Sequence, residues 1–206
     1  MPKIVWEGNK KEWGLPHNGE PLREGAVKLK TSENVFRDSI PYGIPAMLIC
    51  FLAVFLKSYL NKEFPFAPLY FVPAFMIGFL VALPLHELMH AVCYLKGAVV
   101  WIGLCLRKIA AYAISFCPIS RRRFVVMSLA PTLLGLIPLV IFIVCPISWK
   151  PLLTLCIVSA IFGLFSPAPD YMDIIAVLRQ TKKGDMVQAQ NDGLYRIKDA
   201  SDNRLK

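Results

Sequence analysis

The chain has 206 residues, 56% of them hydrophobic, with a mean hydropathy of +0.52 and a formal net charge of +9. That apolar share is above the range of a soluble domain, and runs long enough to cross a bilayer set the class as a polytopic membrane protein. Six cysteines (50, 93, 105, 117, 145 and 156) show no CxxC and no paired spacing, which argues against a disulfide framework and for buried thiols.

Residues 1–38 are charged and polar, lack the apolar core of a signal peptide, and read as a cytosolic N-terminal extension, so insertion relies on the first span. His17, in this stretch, reads as a solvated loop residue. Span one is expected over residues 40–60, with Pro41 and Pro45 near its start, where proline is tolerated. Residues 61–68 form an outer turn. Span two covers 69–95, closed by Lys96 and Gly97 as a cation and a C-cap glycine, with Pro84 predicting a kink two residues before His86. Residues 98–123 are short, apolar and β-tolerant, punctuated by Pro118 and Ser120, and read as one or two strands at the cytosolic rim. Span three covers 124–145 and span four 152–166, joined by an outer turn at 146–151 with an interfacial tryptophan, Trp149. A further helix is expected over 171–180, and residues 181–206 form a polar, basic cytosolic tail with turn signals at Gly184 and Asp192-Gly193. The fold class is therefore all-α and polytopic, with about four transmembrane helices and one short β-like segment. The organisation is an extension at 1–38, a membrane core at 39–180 and a tail at 181–206.

The cations fix the orientation. Seven Lys and Arg precede span one, six lie between spans two and three, and seven follow the last span, leaving Lys57, Lys62 and Lys150 for the other side. By the positive-inside rule both termini and the middle loop face the cytosol from a cell membrane. The same distribution accounts for the net charge without a nucleic-acid partner.

One motif names a chemistry. His86-Glu87-Leu88-Met89-His90 is HExxH, inside an apolar span. Two imidazoles four residues apart stack on one helix face, close enough to share a metal ion, and the intervening glutamate can reach a metal-bound water as a base. An ionisable cluster in a membrane span is costly and marks a functional site by default. Catalytic zinc takes three protein ligands and an open position, so a third ligand is needed. Spans two and four run in the same direction, which puts Asp170 at the depth of His86 and His90. Asp173 competes from one turn further on, either as the ligand itself, as an acceptor for a ligand imidazole or as a helix-start carboxylate. Cys93 could face the metal but reads better as a packed thiol. The set His86, His90 and Asp170 suits Zn²⁺, with Glu87 as general base for peptide hydrolysis. The expected partners are the lipid bilayer and a membrane-anchored protein or peptide substrate. An unwound substrate could add as a strand to residues 98–116, against the plainer reading of those residues as an interfacial loop. The rival class is a zinc-binding membrane scaffold or regulator without catalysis.

The stretch His86-Glu87-Leu88-Met89-His90-Ala91-Val92-Cys93 resembles the zinc helix of site-2-protease-like intramembrane metalloproteases. More closely, the chain resembles a bacterial zincin peptidase family of membrane metalloproteases. Its likeness rests on the basic lead-in from Ser120 through Arg121-Arg122-Arg123 to Ala130-Pro131, and on an Asp-Tyr pair opening the stretch from Asp170-Tyr171 to Gly184. The resemblance spans roughly residues 84–195. It implies zinc held by the two histidines and an aspartate, and proteolysis at the membrane. Where site-2 proteases carry Asp-Gly, this chain has Asp170-Tyr171, and Asp173 adds a carboxylate three residues on.

Overall fold

The structure, a computed structural model, describes residues 1–9, 21–105 and 110–198; His17 and the cations Lys10, Lys11, Arg107, Lys108, Arg204 and Lys206 lie outside the described residues. In chain order the elements are β1 (Lys3–Asn9), β2 (Val27–Lys28), α1 (Val35–Asn61), α2 (Phe71–Val92), β3 (Val99–Cys105), β4 (Ala110–Ile114), β5 (Ile119–Ser120), α3 (Arg121–Leu129), α4 (Leu133–Val144), α5 (Lys150–Phe165), α6 (Ala168–Gln180), β6 (Met186–Gln190) and β7 (Gly193–Ile197). Short 3-10 turns at Pro68–Tyr70 and Ala130–Thr132 precede α2 and α4.

Four helical stretches are long and apolar enough to cross a membrane: Val35–Asn61, Pro68–Val92, Arg121–Val144 and Lys150–Gln180. Helices of sufficient length and apolarity are therefore present at all four expected places, with shifted ends. The last is longer than expected, because only a two-residue turn at 166–167 separates α5 from α6 and Pro169 sits in the first turn of α6, where its missing N–H costs nothing. Span two ends three residues early, at Val92, and Gly97 takes a positive φ of 86° to lead into β3.

The chain divides into two compact units. One comprises residues 35–86 and 131–169. Its centre is α5, where Leu153, Ile157 and Ala160 are buried, while α1 leaves Phe51, Leu52 and Leu60 exposed. Acyl chains are as apolar as leucine, so helices in lipid gain little from burying apolar area and associate through close packing. Gly135 of α4 and Gly163 of α5 supply it: a Cβ on either glycine would meet the backbone of the other helix. The buried Lys57 side chain donates from Nζ to the carbonyls of Phe142 (2.7 Å), Ile143 (3.1 Å) and Cys145 (2.6 Å). Those oxygens lie at the end of α4, where the helix has no further amides to offer, so one ammonium with three hydrogens satisfies them together. Thr154 plays a smaller version of this role, accepting the Ala67 amide at 2.9 Å.

The other unit comprises residues 1–34, 87–130 and 170–206 and holds two sheets among its described residues. In the first, ordered β1-β3-β4, β1 runs parallel to β3 (Lys3 opposite Val99) and β4 antiparallel to it (Trp101 opposite Ile114). In the second, ordered β2-β7-β6-β5, every pairing is antiparallel. The expectation of one short β-like segment in an otherwise all-α chain is thus too narrow. Residues 98–116 do form strands, but β3 also pairs with the N-terminal β1 on the edge away from β4, and the tail contributes β6 and β7 to the second sheet. Gly103 explains the fit of the first sheet. A Cβ there would strike the Tyr112 ring, which lies across β3 so that its hydroxyl donates to Glu7 Oε2 on β1 at 2.6 Å. Burial, and then the Glu7 carboxylate, push the Tyr112 hydroxyl up from its ordinary pKa. The N-terminal extension is tied to the end of α6 by Gln180, whose side-chain amide both accepts from Lys30 N (2.8 Å) and donates to Lys30 O (3.0 Å).

Candidate metal centre

α2 carries Pro84 in its interior and still runs unbroken from Phe71 to Val92, so His86, Glu87 and His90 are all on helix. The spacing of four places both imidazoles on one face. Asp170 is the third residue of α6, in the first turn, where a carboxylate also meets the positive end of the helix dipole. Ligand atoms of His86, His90 and Asp170 lie within 4.8 Å of one another. His90 Nε2 is 3.3 Å from Asp170 Oδ1. That separation matches the edge of a tetrahedron with bonds of about 2.0–2.1 Å, about 3.3 Å, so the spacing of these two groups suits a shared zinc ion. Two imidazoles and a carboxylate are also a donor set that zinc prefers.

His90 is buried, and its Nδ1 lies 3.1 Å from the Met127 carbonyl oxygen. A carbonyl only accepts, so Nδ1 carries a proton, and Nε2, which faces the Asp170 carboxylate, is the nitrogen that a metal would take. The acceptor at His90 Nδ1 is thus a backbone oxygen. Asp173, half-buried one turn after Asp170, is outside the three-residue group. Cys93 is outside it as well.

Glu87 is half-buried beside His86. Burial drives the Tyr94 hydroxyl to a raised pKa, opposed by a backbone hydrogen bond with Ser115, and the charge of Glu87 raises it further.

From the sequence, the run Arg121-Arg122-Arg123 bears on orientation and on the family likeness, and in the structure it does more. Arg123 Nη1 donates to the Cys93 carbonyl at 3.1 Å, just beyond the end of α2. Arg121 Nη2 donates to the Leu178 carbonyl at 3.1 Å, in the last turn of α6. The two helices that carry the candidate ligands therefore have their negative ends capped by neighbouring residues of α3. A charge run gives no sign of which carbonyl each side chain will find, so only the spacing of 121 and 123 hinted at separate partners.

Residues 79–186, more than half of the chain, match the family model described as "Putative zincin peptidase". The match contains HExxH, the arginine run and Asp170. No curated protein and no solved structure matches the chain.

Proposed function

The chain belongs to this zincin peptidase family, and from that premise we propose that it is an intramembrane zinc metallopeptidase cleaving membrane-anchored proteins or peptides. The observation that carries the reading is the convergence of His86, His90 and Asp170 in a chain with four apolar spans. His86 and His90 would supply neutral nitrogens and Asp170 a carboxylate oxygen, leaving a fourth position for water or substrate. Zinc, when bound, acidifies a water molecule and polarises the scissile carbonyl. Glu87 takes the proton from the attacking water and returns it to the leaving amine. The Met127 carbonyl holds the His90 ring with Nε2 presented. A helical substrate hides its amides in its own hydrogen bonds, so it must unwind, and β1 and β4, the outer strands of the first sheet among the described residues, offer backbone groups for an extended segment. The distribution of cations supports a cytosolic side for both termini and the arginine run.

The test is a cleavage assay on a membrane-tethered reporter panel, with zinc analysis of the same purified proteins. Glu87→Gln should keep about one zinc per chain and lose about 10²- to 10⁴-fold in rate, the usual share of a general base. Asp170→Ala should lose the metal as well as the activity, whereas Asp173→Ala should retain metal. Persistent cleavage by Glu87→Gln removes the base assignment; a wild type that binds zinc but cleaves no reporter favours the scaffold.

A further inference from the structure

In an unbroken α-helix the carbonyl of residue 127 accepts the amide hydrogen of residue 131. Residue 131 is proline and has none. The helix responds locally. α3 gives way to the 3-10 turn Ala130–Thr132, and the Ala130 N–H bonds to both the Met127 and the Val126 carbonyls. One site on the Met127 oxygen is thereby used at the tight, three-residue spacing, and the site that residue 131 would have filled is left to another donor. That donor is His90 Nδ1, at 3.1 Å in buried surroundings.

We propose that Pro131 is a positioning residue for the metal centre: by withholding an amide hydrogen it keeps the Met127 carbonyl available to hold the His90 ring. The hydrogen bond then fixes two things at once. It sets the tautomer with the proton on Nδ1, and it orients the ring so that Nε2 meets Asp170 Oδ1 at 3.3 Å. A carbonyl oxygen has two lone pairs, so an amide at 131 would bring a third donor to an acceptor already shared by Ala130 and His90. His90 would lose its partner part of the time, and the ring would sample the other tautomer and other rotations. Pro131 acts through the backbone and touches neither metal nor substrate, so its side chain is fully buried without being part of the reacting set.

The proposal rests on the peptidase reading for its consequence, but its hydrogen bond can be read without metal. The experiment uses full-length protein made by cell-free translation into lipid nanodiscs. Pro131→Ala is compared with a chain carrying lactic acid at position 131, an ester that shares alanine's methyl group and, like proline, has no N–H. Zinc affinity is measured by competition with a chelator. Pro131→Ala should bind zinc about tenfold more weakly, the lower end of the range for losing an outer partner of a ligand histidine, and the lactic-acid chain should stay within about twofold of wild type. Equal losses in both variants would assign the effect to the proline ring and its packing and overturn the proposal, as would no loss in either. Nitrogen-15 spectra of histidine-labelled protein give the second readout, since the chain has only three histidines to resolve. The His90 Nδ1–H should be hydrogen-bonded and slow to exchange with water in wild type and in the lactic-acid chain, and should exchange faster in Pro131→Ala. A wild type that held no zinc would end the peptidase reading, yet the same Nδ1–H exchange comparison in the metal-free protein would still decide the role of Pro131.

Discussion

The two units of this chain are held together by different means, and the contrast follows from their chemistry. In residues 35–86 and 131–169, apolar helices meet through glycine at a backbone-to-backbone crossing, and one buried lysine satisfies a helix end. In residues 1–34, 87–130 and 170–198, strands from distant parts of the chain pair, and arginines and a glutamine reach for carbonyls. Where lipid is the alternative solvent, the hydrophobic effect supplies no preference between helix neighbours, so contact distance and backbone satisfaction decide. Where ionisable groups must sit in fixed geometry, polar side chains fix the elements that carry them. The first unit should therefore fail through steric change, and the second through loss of charge or hydrogen bonds.

The largest effect expected from that contrast is at the glycine crossing. Gly163→Val places branched carbon against the backbone of Gly135 and Leu134, which cannot rotate away as a side chain could. Helices α4 and α5 must separate, at a cost of about 3 kcal/mol, the upper part of the range for overpacking. Unfolding in mixed micelles titrated with denaturing detergent would measure it. A change well below 1 kcal/mol there would mean the two helices are held by something other than close approach.

Lys57 is the exception that sharpens the comparison, a charged group doing a structural task among apolar helices. Lys57→Met keeps much of the length and removes the ammonium, leaving the carbonyls of Phe142, Ile143 and Cys145 without their donor. The expected loss is about 2 kcal/mol, the penalty for buried acceptors left unsatisfied, with metal content unchanged. Arg123→Gln makes the reciprocal change in the other unit. The Cys93 carbonyl is partly exposed to water, so stability should drop by only about 1 kcal/mol. Zinc retention should suffer more than stability does, because the cap steadies the end of the helix carrying His86 and His90. Thermal melts and metal analysis of the two variants, side by side, separate a purely structural cation from one that supports the site.

Much of this arrangement was legible in the residues, and the failures have identifiable causes. HExxH announces itself because helix periodicity converts a spacing of four into a shared face. Asp170 could be reached by following span direction, since depth along parallel helices is a one-dimensional question. The strands were harder. β1 is a seven-residue stretch whose partner β3 begins some ninety residues later, and nothing in Lys3–Asn9 encodes that pairing. Residues 99–105 gave a mixed signal, apolar on both faces, because a strand paired on both edges and carrying Gly103 beneath a tyrosine does not alternate cleanly. The arginine run satisfied one rule, orientation, so completely that a second role left no residual signal. The Met127 carbonyl was invisible for a simpler reason: backbone acceptors have no letter in a sequence.

The smallest expected effect concerns the way β2 is pinned to the hairpin of β6 and β7. Lys28 Nζ donates to Asp192 Oδ2 at 2.8 Å, and the Tyr195 hydroxyl donates to the same oxygen at 2.7 Å. The hydrogen bond from Lys28, then that from Tyr195, holds the Asp192 carboxyl below its ordinary pKa, and the bond to Asp192 raises Lys28 above its own. For the aspartate, the folded value is the lower one, so its contribution is present above an unfolded pKa of about 3.9 and is lost as pH falls through the folded value. For the lysine, the folded value is the higher one, so its contribution is complete below about 10.4 and is lost as pH rises past it. Docking of Val27–Lys28 should accordingly be flat through neutrality and loosen first on strong acidification. Hydrogen exchange at the Leu29 amide, which donates to the Leu194 carbonyl at 2.8 Å, reports it once corrected for the intrinsic pH dependence of exchange. Lys28→Ala should abolish the acid-side change, and salt should shrink it in the wild type, because both partners face water and are screened. An acid response that survives both treatments would place the anchor in the backbone pairing of β2 with β7 rather than in this pair of charges.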